Sequence, residues 1–304
     1  MTDKKRVIAL GFFDGVHIGH SALLRRTFAA GAENALIPSV ITFDAHPRSL
    51  VTGRRVKLIN SAEDRAGLIH RIFGIDDVIF LHFDLEMSRM PWDEYIERLA
   101  SEFGARRLVA GHNFRFGHLG TGDAEKLRGK CAELGIGCDI IPPVEHLGVV
   151  SSSTVIRRLL TEGDIRTANE YLGHPHVLTD YVRYGYRLGR ELGTPTINMA
   201  FGDGVLTPAH GVYATRVFLE DGSVNIGVTN IGTRPTVSNG GEAVTAETHI
   251  LDFRDNLYGR TVRLEFLERI RPELKFDGTD ALREQIRLDC VAARRAVTQS
   301  RQMT

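Results

Sequence analysis

Five runs in the first half of the chain, Arg6–Gly11, Leu36–Phe43, Asp77–Phe83, Arg107–Gly111 and Gly137–Ile141, are continuous and rich in Val, Ile and Leu, with segments of helix length between them. A strand that is apolar on both sides must be covered on both sides, so these runs predict a parallel sheet with helices packed on each face. Two more helices are expected, one after the cap-like run Ser151-Ser152-Ser153 and one after Gly163, carrying the chain to about Gly173.

From about His174 the texture changes to period-2 alternation, as in Gly211–Phe218, broken by turn signals such as Glu220-Asp221-Gly222-Ser223. Further strand candidates are Val182–Tyr186, Val224–Ile231, Thr245–Phe253 and Thr261–Phe266, followed by an amphipathic helix from about Thr279 to Val297. The expected architecture is therefore two-part: an α/β domain with a parallel sheet over residues 1–173, then a small antiparallel β-barrel with a terminal helix over residues 174–304.

Composition narrows the function classes. The 304 residues carry 38 Lys+Arg against 38 Asp+Glu, so net charge gives no long-range attraction to nucleic acid or to acidic membranes. With 42% hydrophobic and 25% charged residues, whole-chain disorder is excluded. No run approaches the ~20 apolar residues of a membrane-spanning helix, and the opening Met1–Arg6 leads into a strand without a signal-peptide core, so a cytoplasmic protein is expected. The three cysteines, Cys131, Cys138 and Cys290, are odd in number and widely spaced, and read as small apolar residues rather than as a disulfide framework or a zinc site.

The densest local signal is Gly11-Phe-Phe-Asp-Gly-Val-His-Ile-Gly-His20, placed directly after the first strand and before a helix. Two histidines at a helix start can direct ring N–H donors at a phosphate, where helix amides and dipole add to the attraction, and Gly15 and Gly19 let backbone approach a ligand. Three further segments fall at the C-terminal ends of later strands, the edge where open α/β sheets bind ligands: Thr42-Phe-Asp-Ala-His-Pro47, Gly111-His-Asn-Phe-Arg-Phe-Gly117 and Ser152-Ser-Thr-Val-Ile-Arg157. Singly, each has a plainer structural explanation: a capped turn, a loop with aromatic anchors, an N-cap followed by a solvated arginine. Together on one edge they describe a nucleotide phosphate site. There is no Walker A loop in this half.

In order and spacing these segments resemble the bifunctional prokaryotic riboflavin kinase/FAD synthetases, over nearly the whole chain. The adenylyltransferase half of that family carries G-x-F-D-G-V-H-x-G-H, T-F-x-x-H-P, G-x-[DN]-F-x-F-G and S-S-T-x-I-R, and the resemblance implies a Rossmann-like nucleotidyltransferase domain. It implies that His17 and His20 hold ATP phosphates, with Gly11, Asp14 and Gly19 in the same loop. It places Asn113 at the nucleotide and metal site, and Ser152, Thr154 and Arg157 in the phosphate grip. Val155 departs from the pattern, since many members carry an arginine there; Arg158 follows closely.

In the second half, Gly185-Tyr-Arg-Leu-Gly-Arg-Glu-Leu-Gly-Thr-Pro-Thr-Ile-Asn198 combines glycines that allow a loop to close over phosphates with Thr196 and Asn198, which on an extended segment share a face and offer oxygens to a hard cation. The segment is similar to the riboflavin kinase pattern G-x-x-x-G-R-x-[LI]-G-x-P-T-x-N. That half also carries G-V-Y-A at Gly211–Ala214, N-I-G-x-R-P-T at Asn230–Thr236, E-T-H at Glu247–His249 and L-Y-G at Leu257–Gly259. The resemblance implies that Glu247 is the base for the ribityl 5′-hydroxyl. It implies that Gly189, Arg190, Gly193 and Pro195 contact ATP, and that Thr196 and Asn198 hold Mg²⁺. Departures at Asp180, Tyr186 and Thr194 surround the nucleotide loop.

The reading that uses every motif is an enzyme that phosphorylates riboflavin to FMN and adenylylates FMN to FAD, with ATP as co-substrate and Mg²⁺ as cofactor. It binds riboflavin, FMN and ATP, with no nucleic-acid or membrane partner, and leaves room for a homo-oligomer. The alternatives are an FMN adenylyltransferase whose barrel only binds flavin, a flavin-sensing regulator without catalysis, and a different H-x-G-H nucleotidyltransferase.

Overall fold

The computed structural model describes residues 4–53, 55–184, 193–235 and 242–301. By its internal contacts the chain divides into two compact units, Met1–Ser153 and Thr154–Thr304. In the first, β1 (Arg6–Leu10), β2 (Ile37–Phe43), β3 (Asp77–Leu81), β4 (Ala105–Gly111) and β5 (Gly137–Ile141) form one all-parallel sheet in the order β3-β2-β1-β4-β5. Each Val/Ile/Leu run of the sequence becomes one of these strands.

Burial on both faces is the reason for that pattern. Ile8 and Leu10 of β1 pack with Leu108 and Ala110 of β4 beneath Tyr95, Ile96 and Leu99 of α5 (Trp92–Ser101) and Leu127 and Cys131 of α6 (Ala124–Glu133). The alternate residues Val7 and Ala9 are equally buried on the other face. There α1 (Ile18–Asn34) lies against β1, β2 and β4, with α3 (Ala62–Phe73) beside it. Helix boundaries follow local chemistry: Ser61 Oγ accepts from Asp64 N–H at 3.0 Å to start α3, which stops at Gly74 with φ 67°. Two short helices, α2 (Pro47–Thr52) and α4 (Leu85–Arg89), and a two-residue ribbon of β6 (Glu145–His146) and β7 (Val149–Val150) complete the unit.

In the second unit α7 (Ser153–Glu162) and α8 (Ile165–Leu172) precede β8 (His176–Tyr181), β9 (Thr196–Ala200), β10 (Gly211–Phe218), β11 (Val224–Pro235), β12 (Glu242–Ile250) and β13 (Thr261–Arg271). The strands make one antiparallel sheet in the order β8-β13-β10-β11-β12-β9. Its two end strands meet through Arg183 N–H, which donates to Asn198 C=O at 2.8 Å, and through Ala200 N–H, which donates to Asp180 Oδ2 at 2.8 Å. That contact rolls the sheet into a barrel. The terminal helix α9 (Thr279–Arg301) sets Ala293 and Ala296 on Val212, Ala214 and Val228.

Two details differ from the sequence reading. The first barrel strand is His176–Tyr181, not Val182–Tyr186; Arg183 keeps one bridge to Asn198, and Tyr186 lies outside the described residues. The extended Thr196–Ala200 is a full strand, pairing with β12. All three cysteines are free thiols, Cys131 in the core. Among the described residues no helix is long and apolar enough to cross a membrane.

Candidate active sites

At the end of β1 the chain makes a tight, strained loop: Phe13 (φ 54°), Gly15 (φ 83°) and Val16 (φ 45°) all take left-handed backbone, and burial of the Phe13 and Val16 side chains holds them there. His17 then caps α1, its Nδ1 accepting from Gly19 N–H at 3.1 Å. An accepting Nδ1 leaves the proton of the neutral ring on Nε2, the nitrogen that can donate to an anion. The ring lies over Gly19 so closely that a Cβ there would sit 2.9 Å from His17 Cε1, which is why the residue is glycine. His20 stacks on His17 with centroids 3.7 Å apart. Burial, then the neighbouring charges of His17 and Arg65, push the His20 imidazole well below its ordinary range, so at neutral pH it is uncharged.

Asp14 is 1% exposed: its Oδ1 accepts from Ile59 N–H at 2.8 Å, and its carbonyl accepts from Ser153 Oγ at 2.9 Å. Gly11 sits at the strand end, where an added Cβ would meet the Phe13 ring at 3.0 Å. At the end of β2, Thr42 Oγ1 donates to Phe12 C=O at 2.8 Å and His46 packs on the Phe12 ring. Asn113 is exposed in the turn after β4, closed by Phe114 N–H to Gly111 C=O at 3.0 Å. Because β1 has β2 on one side and β4 on the other, the loops after β1 and β4 leave the sheet at its topological switch point, where α/β sheets form their ligand crevice. The Ser151 carbonyl lies within 3.6 Å of where a Gly19 Cβ would be, which brings the Ser151–Ser153 segment, and with it Ser152, to the histidine loop. Thr154 and Arg157 follow on α7, three residues apart and so on one helix face, and belong to the second unit. Arg158, exposed on α7, is ion-paired with Glu162 at 2.8 Å.

The barrel assembles a second constellation by strand register. Glu247 of β12 stands directly opposite Asn198 of β9 on one side and Asn230 of β11 on the other, so the three side chains share a sheet face. Thr196 faces His249 in the same ladder, and the His249 ring is 2.9 Å from Pro195 C=O. Gly193, with φ 77°, turns the chain into β9. A cleft of 420 Å³ lies alongside, lined by Pro195, Thr196, Thr248, Phe253, Asn256 and Tyr258 among others. Tyr184 stacks on Tyr258, 4.1 Å between centroids. Gly189 and Arg190 of the glycine-rich loop lie outside the described residues.

The oxygens of Thr196 and Asn198, on one face of β9, are hard donors of a kind that fits Mg²⁺. Nothing in the sequence singles out Phe253 and Asn256 of the cleft, nor Arg65, which reads as an ordinary charge on an amphipathic helix yet is wholly buried behind the histidine loop.

Family models match the two halves separately: the one described as FAD synthetase covers residues 1–155 and the one described as riboflavin kinase covers residues 172–297. The bifunctional riboflavin kinase/FMN adenylyltransferase of Listeria monocytogenes is 32% identical over 290 residues, 95% of this chain and 91% of that protein. The one of Pseudomonas fluorescens is 34% identical over 293 residues, 95% of this chain and 92% of that protein. A solved structure from Streptococcus pneumoniae, described as a macrolide-efflux protein, superposes with a TM-score of 0.84 at 29% identity, covering 97% of this chain and 95% of that one.

Proposed function

Since the chain belongs to the family of bifunctional riboflavin kinase/FMN adenylyltransferases, we propose that it makes flavin cofactors in two ATP-dependent steps, phosphorylating riboflavin to FMN and adenylylating FMN to FAD with release of pyrophosphate. The observation that carries the reading is the presence, on one chain, of both arrangements: stacked paired histidines at a helix start beside a sheet switch point, and a carboxylate flanked by two asparagines on a barrel face.

In the barrel, residues 174–304, Glu247 takes the proton of the ribityl 5′-hydroxyl as the γ-phosphoryl group leaves ATP, because a primary alcohol is a weak nucleophile until a carboxylate within hydrogen-bond reach accepts its proton. Asn198 and Thr196, on the adjacent strand, would hold Mg²⁺, and the family resemblance assigns Gly189, Arg190, Gly193 and Pro195 to ATP contact. Mg²⁺, when bound, neutralises charge between the phosphates. In the first domain, residues 1–173, the FMN phosphate attacks the α-phosphorus of ATP in line. The Nε2–H of His17, the imidazole of His20 and the amides at the start of α1 lie where charge develops on the departing pyrophosphate. Gly11 and Gly19 give these groups their approach, Asp14 fixes the loop from behind, and Asn113 and Ser152 are further nucleotide ligands. The enzyme works in the cytoplasm, where ATP and riboflavin meet.

The test is a time course of the purified protein with riboflavin and Mg-ATP, resolved by chromatography, beside one started from FMN. FMN appearing first and FAD second is the expected result. FAD from supplied FMN alone would reduce the barrel to a flavin-binding module.

A further inference from the structure

Arg65 of α3 is the largest fully buried side chain in the protein's described residues, and the two nucleotide motifs of the first unit converge on it. One nitrogen, Nη1, donates to Phe12 C=O at 2.7 Å, to Thr42 Oγ1 at 2.9 Å and to Phe43 C=O at 3.1 Å. The guanidinium plane lies over the Phe12 ring at 4.6 Å and beside Phe80 at 5.3 Å. Among the described residues its Nε and Nη2 are buried with no hydrogen-bond partner. Burial lowers the group to about 10 while the charges of Asp14 and Asp44 oppose that shift, so it remains a cation at neutral pH.

Resting on the adenylyl-transfer reading above, we propose that Arg65 is the positioning residue of that site. Its Nη1 fastens the backbone of the first motif, at Phe12, to the end of β2, at Thr42 and Phe43, and so sets where His17 and His20 stand. Stability alone does not account for it. A buried charge with unmatched donors carries a desolvation penalty, and apolar replacements of buried ions are often neutral or stabilising. Nor does a lysine substitute, since its point charge does not stack between the Phe12 and Phe80 rings as the guanidinium plane does. His20 lies within the field of this cation, with His17 stacked on it and Phe13 edge-on. The acids of the region are Asp14, whose Oδ1 accepts from Ile59 N–H, and Asp44, 2.7 Å from His82.

Full-length R65M and R65K are compared with the parent for FAD formed from FMN and ATP, with FMN formed from riboflavin as an internal control in the same chain. R65M is expected to lose about ten- to a hundredfold in kcat/KM for ATP in FAD formation. The acid limb of its pH profile moves to higher pH, because without the cation His20 accepts a proton more readily. R65K keeps the acid limb of the parent but raises KM for ATP. FMN formation is unchanged in both. R65M with parental kinetics and acid limb overturns the proposal, as does a variant that loses only thermal stability. If R65M does not fold, a parental KM in R65K overturns it. A parent that makes no FAD from FMN removes the underlying reading instead.

Discussion

Gly19 and His17 act as one unit. The imidazole folds back over the helix start only because residue 19 has no side chain, and the sequence H-x-G-H records that packing. In Gly19→Ala the new methyl displaces the ring while alanine improves the helix by up to about 1 kcal/mol. The expected outcome is a melting temperature at or above the parent's, with FAD formation reduced about tenfold or more. A G19A protein with parental FAD kinetics would remove His17 from the reaction. The motif around the histidines was legible in the sequence because glycine turns, caps and ring spacing are local. Arg65 was not, because its partners come from residues 12, 42 and 43, and one charge on an amphipathic helix looks the same whether it faces water or the core.

At the scale of elements, the five parallel strands were readable because each is buried on both faces, which leaves an unbroken apolar run. The barrel was less so. The strand at its seam begins at His176, before the Val182–Tyr186 alternation, and the edges are closed by a side chain, Asp180 Oδ2 on Ala200 N–H, that no periodicity announces. A departure from the family pattern at residue 180 thus becomes part of the closure. Asp180→Ala removes that acceptor and should destabilise the barrel by about 1–3 kcal/mol, whereas Asp180→Asn retains a carbonyl oxygen and should cost less. Equal melting temperatures for the two variants would contradict the assignment.

His176, at the start of β8, gives the same unit its acid sensitivity. The residue is 1% exposed, neither ring nitrogen has a hydrogen-bond partner among the described residues, and burial pushes its imidazole down to about 3. The unfolded chain takes up a proton near the ordinary value of 6.5 and the folded chain does not until about 3. Stability is therefore intact above 6.5 and falls with pH between those values, at roughly 1.4 kcal/mol per pH unit. Thermal melts of His176→Leu between pH 6.5 and pH 4.5 should fall less steeply than the parent's; parallel slopes would show that the imidazole is protonated in the fold.

For the whole molecule, the account rests on two chemistries carried by separate residues: histidines and amides that neutralise a leaving pyrophosphate, and a carboxylate that takes a proton from an alcohol. The FAD synthetase and riboflavin kinase family models match residues 1–155 and 172–297. The most direct test is Glu247→Gln in the full chain, supplied in parallel with riboflavin and with FMN, each with Mg-ATP, and read by chromatography of the flavins. The account predicts loss of FMN formation by about a hundredfold or more with FAD formation from supplied FMN at the parental rate. Loss of both activities in a folded protein, or retention of FMN formation, would contradict it.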